Sequence, residues 1–275
     1  MALTPINATK TPEKTIRLLF LGDVFGEPGR KAVIDLIPKL KERHQIDFVV
    51  VNGENSAGGR GITPRICIAL LRAGAAVVTL GDHAWDQPEI INYMETEPRL
   101  LRPLNYPEGT PGQGSIVLET DKGKVAVLCA QGRTFTNPPL ENPFLAAEKE
   151  VARLREETPV IFMDFHAEAT SEKIGMGRAM DGKVSGVIGT HTHVQTADEG
   201  ILPGGTAYLT DCGMTGGHGG VIGMRKEGVL PRFLTAMPTK FDVCEEGPRM
   251  NAVMIEIDEE TGKAFDIRRV DVPLE

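Results

Sequence analysis

The sequence predicts an α/β fold with parallel strands, and two observations predict it. Short apolar runs rich in Val, Ile, Leu and Phe recur along the chain, and helical patterns separate the first three of them. Such runs are typical of buried strands, and alternation of strands with helices implies right-handed βαβ units. The runs are IRLLFL (16–21), FVVV (48–51), AAVVTL (75–80), KVAVLCA (124–130), PVIFMDF (159–165) and KVSGVIG (183–189).

Four helices are predicted between and after these strands. The second has the clearest bounds, with Thr63 as N-cap, Pro64 at the first helical position and Gly74 beyond the end. The helical patterns cover residues 29–45, 63–74, 86–97 and 143–157.

Two further segments have a predicted form. The Pro- and Gly-rich segment 99–117 indicates a long ordered loop before a strand. Segment 251–272 alternates apolar and polar residues around a Thr-Gly turn, which predicts a β-hairpin.

Composition limits the class of protein. At 275 residues, 41% hydrophobic, the chain can bury one sizeable core, and a single domain is the default. A net charge of −8 argues against stable nucleic-acid binding, so any nucleotide substrate should be small. The four cysteines form no Cys-x-x-Cys pair, which predicts reduced core thiols and excludes a zinc ribbon. With a polar N-terminus and no long apolar run, we expect a cytoplasmic protein without a membrane partner.

Five of the six apolar runs are followed directly by residues that can bind metal ions. In open α/β sheets, sites form outside the carboxyl ends of strands, so these residues should converge on one crevice. A strand-end aspartate such as Asp23 is by itself more often a helix cap, but the joint pattern favours a site. The candidate ligands are Asp23, Glu54, Asn55, Asp82, His166, His191 and His193.

His191 and His193 flank a single residue after the last apolar run. Residues two apart on an extended segment point to the same side, so this spacing predicts that both imidazoles are presented together while Thr192 faces away. A hydrogen-bonded surface pair has the same spacing, so the pair alone does not establish a metal site.

The donor set indicates a dinuclear metal centre. Carboxylate, amide and imidazole donors without thiolate suit Mn, Fe, Zn or Co. Seven candidates exceed the needs of one tetrahedral ion, whereas two ions about 3.5–4 Å apart, sharing a carboxylate, would use all of them and promote attack on phosphorus. The ions would generate a hydroxide nucleophile, and His83, adjacent to a ligand, would protonate the leaving oxygen.

Two rival enzyme classes are disfavoured. Gly22, Gly26 and Gly29 have the spacing G-x-x-x-G-x-x-G instead of the dinucleotide-binding G-x-G-x-x-G. A nucleophilic-cysteine hydrolase needs a thiolate beside a base, and the nearest such pair is Cys212 with the more distant His218.

Several motifs resemble, in order, those of the YmdB-like metallophosphoesterases, a bacterial branch of the calcineurin-like phosphoesterases: GDVFGEPGR, NGENSAGGRGIT, TLGDHAWDQPEI, RPLNYP, DFHAEATSEK, GTHTHVQTAD and YLTDCGMTGG. The resemblance extends over residues 16–272, so we expect a flexible extension over residues 1–15 and a single domain over 16–275. It implies a four-layer α/β/β/α sandwich of the metallo-dependent phosphatase type, in which two mixed sheets pack under outer helices. It also implies a dinuclear metal site at one edge and phosphodiesterase activity on 2′,3′-cyclic nucleotides.

The resemblance implies a role for each site residue. His83 would be the general acid, Glu54 would bridge the ions, and the two histidines of the His-x-His pair would serve different ions. One ion would be bound by Asp23, Asn55 and His193, and the other by Asp82, His166 and His191.

One motif departs from the family, which has Gly-Asn-His where this chain has Gly81, Asp82 and His83. An aspartate can still bind a metal ion, but it adds a negative charge near an anionic substrate and loses an amide donor. We expect tighter metal binding together with weaker phosphate binding or a slower chemical step.

The remaining polar residues are given no essential role. His44 should be solvated, Trp85 should pack against the core, with base stacking as its alternative, and His218 lies on a Gly-rich segment. Partners that orient His166 could come from Glu168, Ser171 and Lys173, and Asp211 fits a strand-end turn.

The leading hypothesis is a cytoplasmic two-metal phosphodiesterase that hydrolyses small cyclic nucleotides of the 2′,3′-cyclic AMP class through a metal-bound hydroxide. We expect two divalent or trivalent ions, iron or manganese before zinc or cobalt. The alternative is a regulatory nucleotide-binding protein with the same fold and metals but little turnover. The departure at Asp82 is the reason to retain this alternative. A purely structural metal predicts unfolding on chelation, which a core of this size argues against. A homo-oligomer is neither required nor excluded by the sequence.

Overall fold

All six predicted strands are present in the computed structural model, which describes residues 14–274. The predicted flexible extension lies, over residues 1–13, outside the described residues, and the first strand begins at Thr15. The strands are β1 (Thr15–Leu21), β2 (Asp23–Val24), β3 (Phe48–Asn52), β4 (Val77–Thr79), β5 (Leu100–Leu101), β6 (Ser115–Thr120), β7 (Gly123–Gln131), β8 (Ile161–His166), β9 (Gly186–Thr190), β10 (Gly200–Ile201), β11 (Ala207–Leu209), β12 (Met214–Gly217), β13 (Pro248–Asp258) and β14 (Ala264–Pro273).

Four of the helices agree with the predicted patterns in place and differ in length, and two more, over residues 170–180 and 226–235, were not predicted. Thr63 caps its helix as predicted, because its side chain accepts a hydrogen bond from the backbone N–H of Ile66 at 3.3 Å. The predicted helix over 86–97 is reduced to one short helix, with turns on either side of it. The helices are α1 (Gly26–His44), α2 (Pro64–Arg72), α3 (Ile90–Met94), α4 (Pro143–Leu154), α5 (Thr170–Met180) and α6 (Lys226–Thr235).

The first sheet is mixed. Strands β1, β3, β4 and β5 run parallel in that spatial order, and β13 pairs antiparallel with β1. Beyond them, β12 pairs with β13 and with β2, while β14 forms the predicted C-terminal hairpin with β13. The parallel pairing places the carboxyl ends of β3 and β4 side by side.

The second sheet is also mixed and has the order β10, β11, β9, β8, β7, β6. Its strands β7, β8, β9 and β11 are parallel, and the outermost strand on each side pairs antiparallel with its neighbour. The carboxyl ends of β8 and β9 are therefore adjacent.

Alternating side chains divide the interior into three apolar layers. Along β1, Leu19 and Leu21 pack with α1 and α2, whereas Leu18 and Phe20 pack against the second sheet. The rings of Phe20 and Phe162 meet between the sheets, with centroids 5.0 Å apart. A third layer joins the other face of the second sheet to α4 and α5. This arrangement confirms the predicted α/β/β/α sandwich.

Segment 99–117 is largely the predicted ordered loop, although it contains β5 and ends in β6. The buried Arg102 guanidinium donates to the carbonyl oxygens of Pro103, Thr110 and Pro111, and so ties one part of the loop to another. Among residues 14–274, no helix is both long enough and apolar enough to span a membrane.

Candidate metal centre and catalytic site

The predicted ligands come from five strands or strand ends at one edge of the sandwich. Asp23 lies in β2, His166 ends β8, and the other ligands lie in the turns that follow β3, β4 and β9. Because the parallel strands of both sheets end at this edge, residues far apart in sequence meet there.

Four of the predicted ligands form one compact group, in which each offers an atom within 4.8 Å of the others: Glu54, Asp82, His166 and His191. His166 is fully buried at its centre. Its Nε2 lies 2.9 Å from Asp82 Oδ1, 3.1 Å from Glu54 Oε1 and 2.9 Å from His191 Nδ1. Four donor atoms therefore converge on one point.

Three other predicted ligands adjoin this group through Glu54. Asn55 Nδ2 lies 3.0 Å from Glu54 Oε1 and 3.2 Å from His193 Nε2, which is 3.8 Å from Asp23 Oδ1. Asn55 thus presents its amide nitrogen here, and it can bind a cation only with the amide rotated to present oxygen. Asp23 is not a helix cap, because the N-cap of α1 is Phe25.

Gly81 allows these groups to approach one another. A Cβ atom at this position would lie 2.2 Å from both Glu54 Oε2 and His166 Cδ2. Any larger residue would displace the central ligands, so the glycine before Asp82 is a packing requirement of the site.

The expectation that His191 and His193 point together from an extended segment is wrong. Their φ values are +100° and +64°, so the chain after β9 is tightly turned. His191 faces Asp82 and His166, whereas His193 faces Asn55 and Asp23. The two imidazoles consequently belong to different halves of the cluster.

A buried relay fixes the orientation of His166. The Thr190 hydroxyl donates to Asp164 Oδ1 at 2.7 Å, so its oxygen accepts from His166 Nδ1 at 2.9 Å. Asp164 also accepts hydrogen bonds from Asn52 and Thr79 at 3.0 and 2.5 Å, which tie the two sheets together. With Nδ1 carrying a hydrogen, Nε2 is the nitrogen that binds either a proton or a cation.

Burial raises the pKa of Asp164 to about 6, although the His166 charge and the Thr79 and Thr190 hydrogen bonds oppose the rise. The carboxyl is thus ionised at neutral pH and remains a hydrogen-bond acceptor for the relay.

The His191 to His193 turn is held by a buried ion pair. Lys173 Nζ lies 2.6 Å from Asp211 Oδ2, and the same oxygen accepts from the Thr192 backbone N–H at 3.1 Å and hydroxyl at 2.6 Å. Glu168 contacts His191 Nε2 at 3.1 Å, which leaves Nδ1 for the cluster. Lys173 therefore acts on this turn and not on His166, the residue that its place in the sequence suggested.

His83 lies at the rim of the cluster and is held from its far side. Its Nδ1 is 3.1 Å from Asp86 Oδ2, which also contacts Arg60 Nε at 2.9 Å. Donation from Nδ1 to Asp86 directs Nε2 away from that carboxylate, and Nε2 lies 3.8 Å from Asp82 Oδ2. This is the orientation a proton donor to a bound substrate needs.

The electrostatics of the cluster favour bound positive charge. Burial opposes ionisation of Asp82, but hydrogen bonds from His166 and His191 outweigh it and hold the pKa of that carboxyl well below its usual range. Burial alone would lower the pKa of His166, yet the Glu54 charge and the hydrogen bond to Asp82 raise it well above its usual value.

An independent observation fits a bound cation beside Asp23. Asp23 Oδ1 is buried and has no hydrogen-bond partner, although a buried carboxylate oxygen normally requires one. A cation shared with His193 and Asn55 would satisfy this oxygen, and the nitrogen and oxygen donors suit Mn, Fe, Zn or Co.

The other singled-out residues lie outside the cluster. His218 Nε2 bonds the carbonyl oxygen of Met214 at 3.0 Å, and His44 is exposed at the end of α1. Trp85 packs edge-to-face on Tyr106 and against the first core layer, which confirms its packing role. The four cysteines are free and buried, as predicted.

Asp86, Thr190 and Asp164 were not identified from the sequence. The sequence spacing could have identified Asp86, because it follows His83 by three residues and a turn brings residues at this spacing together. Asp164 lies inside an apolar run and Thr190 directly after one, and only the pairing of β8 with β9 reveals that they meet.

A family model described as YmdB-like protein matches residues 19–270. A Bacillus subtilis (strain 168) protein named 2′,3′-cyclic-nucleotide 2′-phosphodiesterase is 49% identical over 255 residues, covering 93% of this chain and 96% of that protein. The crystal structure of a hypothetical protein from Thermus thermophilus has a TM-score of 0.86 at 40% identity and covers 94% of this chain and 99% of its own. A crystal structure described as a novel phosphatase from Mycoplasma pneumoniae has a TM-score of 0.89 at 35% identity, covering 94% of each chain.

Proposed function

The chain belongs to the YmdB-like family, and we propose that it is a metal-dependent phosphodiesterase that hydrolyses small cyclic nucleotides of the 2′,3′-cyclic AMP class. The observation that carries this proposal is the convergence of seven nitrogen and oxygen donor residues on one edge, with Glu54 in contact with both halves of the set. The name of the Bacillus subtilis relative supports the substrate class.

Each half of the cluster would hold one metal ion. Asp23, Asn55 and His193 form one half, Asp82, His166 and His191 form the other, and the Glu54 carboxylate lies between them. Two bound ions would neutralise phosphoryl oxygens and lower the pKa of water. We propose iron or manganese as the resident metals, with zinc or cobalt as acceptable substitutes.

His83 would supply the proton for the leaving oxygen. In the overall reaction, water adds to phosphorus, one ester P–O bond breaks, and the ribose oxygen that leaves takes a proton. The contact of Nδ1 with Asp86 positions the ring so that Nε2 can face the substrate. Arg60 contacts Asp86 as well, and so helps to hold this carboxylate in place.

The net charge and the free thiols support a small-molecule substrate and a cytoplasmic location. A net charge of −8 favours a small-molecule substrate over a nucleic acid. Four free buried thiols suit the reducing cytoplasm, which we propose as the compartment.

A second candidate function rests on Asp82. This carboxylate contacts both His166 and His191, so it adds negative charge beside the place where an anionic phosphate would bind. A protein that binds nucleotide and metals but turns over slowly is the function this observation favours.

The deciding experiment measures hydrolysis of 2′,3′-cyclic AMP by metal-stripped protein reconstituted with manganese, beside His83→Ala and the matched control His218→Ala. Saturable, metal-dependent turnover that is lost in His83→Ala and kept in His218→Ala is the expected result. Absence of turnover from folded wild-type protein shown to contain two metals per chain would favour the regulatory function. Unfolding on chelation would indicate a structural metal.

A further inference from the structure

The metal cluster forms one end of a cleft whose other end is apolar. The cleft has a volume of about 570 Å³, and its polar end contains Glu54, Asn55, His83, His191 and His193. Its opposite wall is supplied by segment 221–241, which includes α6. The apolar wall consists of Val221, Ile222, Met224, Val229, Phe233 and Phe241.

This wall is not part of the folded interior. Val229 is the buried residue of α6, and it belongs to none of the three core layers formed by the described residues. Phe233 lines the cleft and yet leaves 75% of its surface exposed. A large aromatic ring held in water beside a polar site gains nothing for folding, so a role in binding accounts for it better.

Arg232 adds a planar cation to the same wall. Its guanidinium lies over the Phe241 ring, 5.3 Å from the centroid, and it lines the cleft. A stacked guanidinium keeps donors in its own plane, which can meet the acceptor atoms of a heterocycle.

We propose that the Phe233 wall is a nucleobase subsite. The inference rests on the proposed function: with the cyclic phosphate at the metal cluster, the base extends along the cleft toward α6. Every nucleobase presents a π-face, and aromatic side chains stack on all of them. The subsite should therefore favour nucleotides over base-free phosphodiesters while discriminating weakly among bases.

The test compares two substrates of the full-length, manganese-loaded protein: 2′,3′-cyclic AMP, and methyl β-D-ribofuranoside 2,3-cyclic phosphate, which lacks the base. The measured quantity is the ratio of their kcat/KM values. Phe233→Ala should lower this ratio about 10-fold, since loss of one stacking contact has effects of this order. Phe233→Trp should keep it. Leu234→Ala is the matched control, because Leu234 is exposed on the same helix and does not line the cleft.

An unchanged ratio in Phe233→Ala, with active wild-type protein, would overturn the subsite and leave the proposed function intact. Equal losses on both substrates in Phe233→Ala and Leu234→Ala would also overturn it, and would indicate that α6 packs against another copy of the chain. If the wild type hydrolyses neither substrate, the proposed function fails. Calorimetric binding of 2′,3′-cyclic AMP then decides the subsite: weaker binding in Phe233→Ala alone supports it, and equal binding in all variants refutes it.

Discussion

Lys173 and Asp211 form a fully buried ion pair, with Lys173 Nζ 2.6 Å from Asp211 Oδ2, directly beneath Thr192. The pair connects α5 to the chain after β11 and anchors the turn that presents His191 and His193. Support for the metal cluster thus comes from charges that do not themselves contact it.

Lys173→Met should destabilise the protein by about 3–5 kcal/mol, because it leaves the Asp211 charge buried without a partner. Denaturant unfolding of metal-free protein measures the change. Lys183→Met is the control: Lys183 pairs with Glu148 at the surface, and its loss should cost less than about 1 kcal/mol. Adding Asp211→Asn to Lys173→Met should restore part of the stability; if it does not, the uncompensated charge is not the cause.

Thr190→Val should weaken metal binding about 10- to 100-fold by breaking the relay between Asp164 and His166. Chelator competition measures the affinity, and ¹⁵N NMR should show that His166 no longer keeps its hydrogen on Nδ1. Thr206→Val is the matched control. It removes a buried hydroxyl that donates a hydrogen bond to the carbonyl oxygen of Val184, far from the cluster. Equal loss of affinity in both variants would mean that general loosening, and not the relay, is responsible.

Asp82→Asn should raise kcat/KM for 2′,3′-cyclic AMP several-fold and lower metal affinity. The substitution removes a negative charge beside the proposed phosphate position and restores an amide donor, and an electrostatic gain of about 1 kcal/mol corresponds to roughly 5-fold. Steady-state kinetics at saturating manganese separates the two effects. Unchanged kcat/KM would show that the carboxylate does not oppose substrate binding or chemistry.

Asp86→Ala should reduce kcat about 10-fold or more with a smaller effect on KM, since it removes the acceptor that orients His83. The exposed Asp35, on the solvent side of α1, gives the control Asp35→Ala. The split between kcat and KM is the readout, because loss of an orienting contact slows proton transfer without removing a substrate contact. A kcat equal to that of the wild type would exclude Asp86 as the positioning group.

The thiols of Cys67, Cys129 and Cys212 should be inert in the folded protein at pH 8. Burial raises the pKa of Cys67 to about 12 and those of Cys129 and Cys212 well above the usual value. Since only the thiolate attacks a disulfide reagent, labelling of these three residues should be slow at pH 8 and accelerate as pH rises toward 12. Reagent titration should give four thiols per chain after denaturation. Rapid labelling of native Cys212 would reopen the cysteine-nucleophile alternative.

The sequence by itself determined six central strands, the Thr63 cap, the C-terminal hairpin and the set of residues that meet at the site edge, but not the short strands such as β2, β10, β11 and β12. These features depend on local patterns: runs of apolar residues, capping preferences, and polar residues placed directly after strands. Parallel pairing then brings strand ends together with little further information, and this is why the seven candidate ligands could be named before the structure was known.

Only the tertiary structure decided how those residues are held and which way they face. The left-handed turn at His191 and His193 sends the two rings to different partners, and the sequence spacing indicated the opposite. The Thr190 partner of His166 lies on a neighbouring strand, and the Asp211 partner of Thr192 lies after β11, with Lys173 and Asp211 separated by 38 residues. Contacts of this kind depend on the register of the sheets and the packing of α5, which no local pattern encodes.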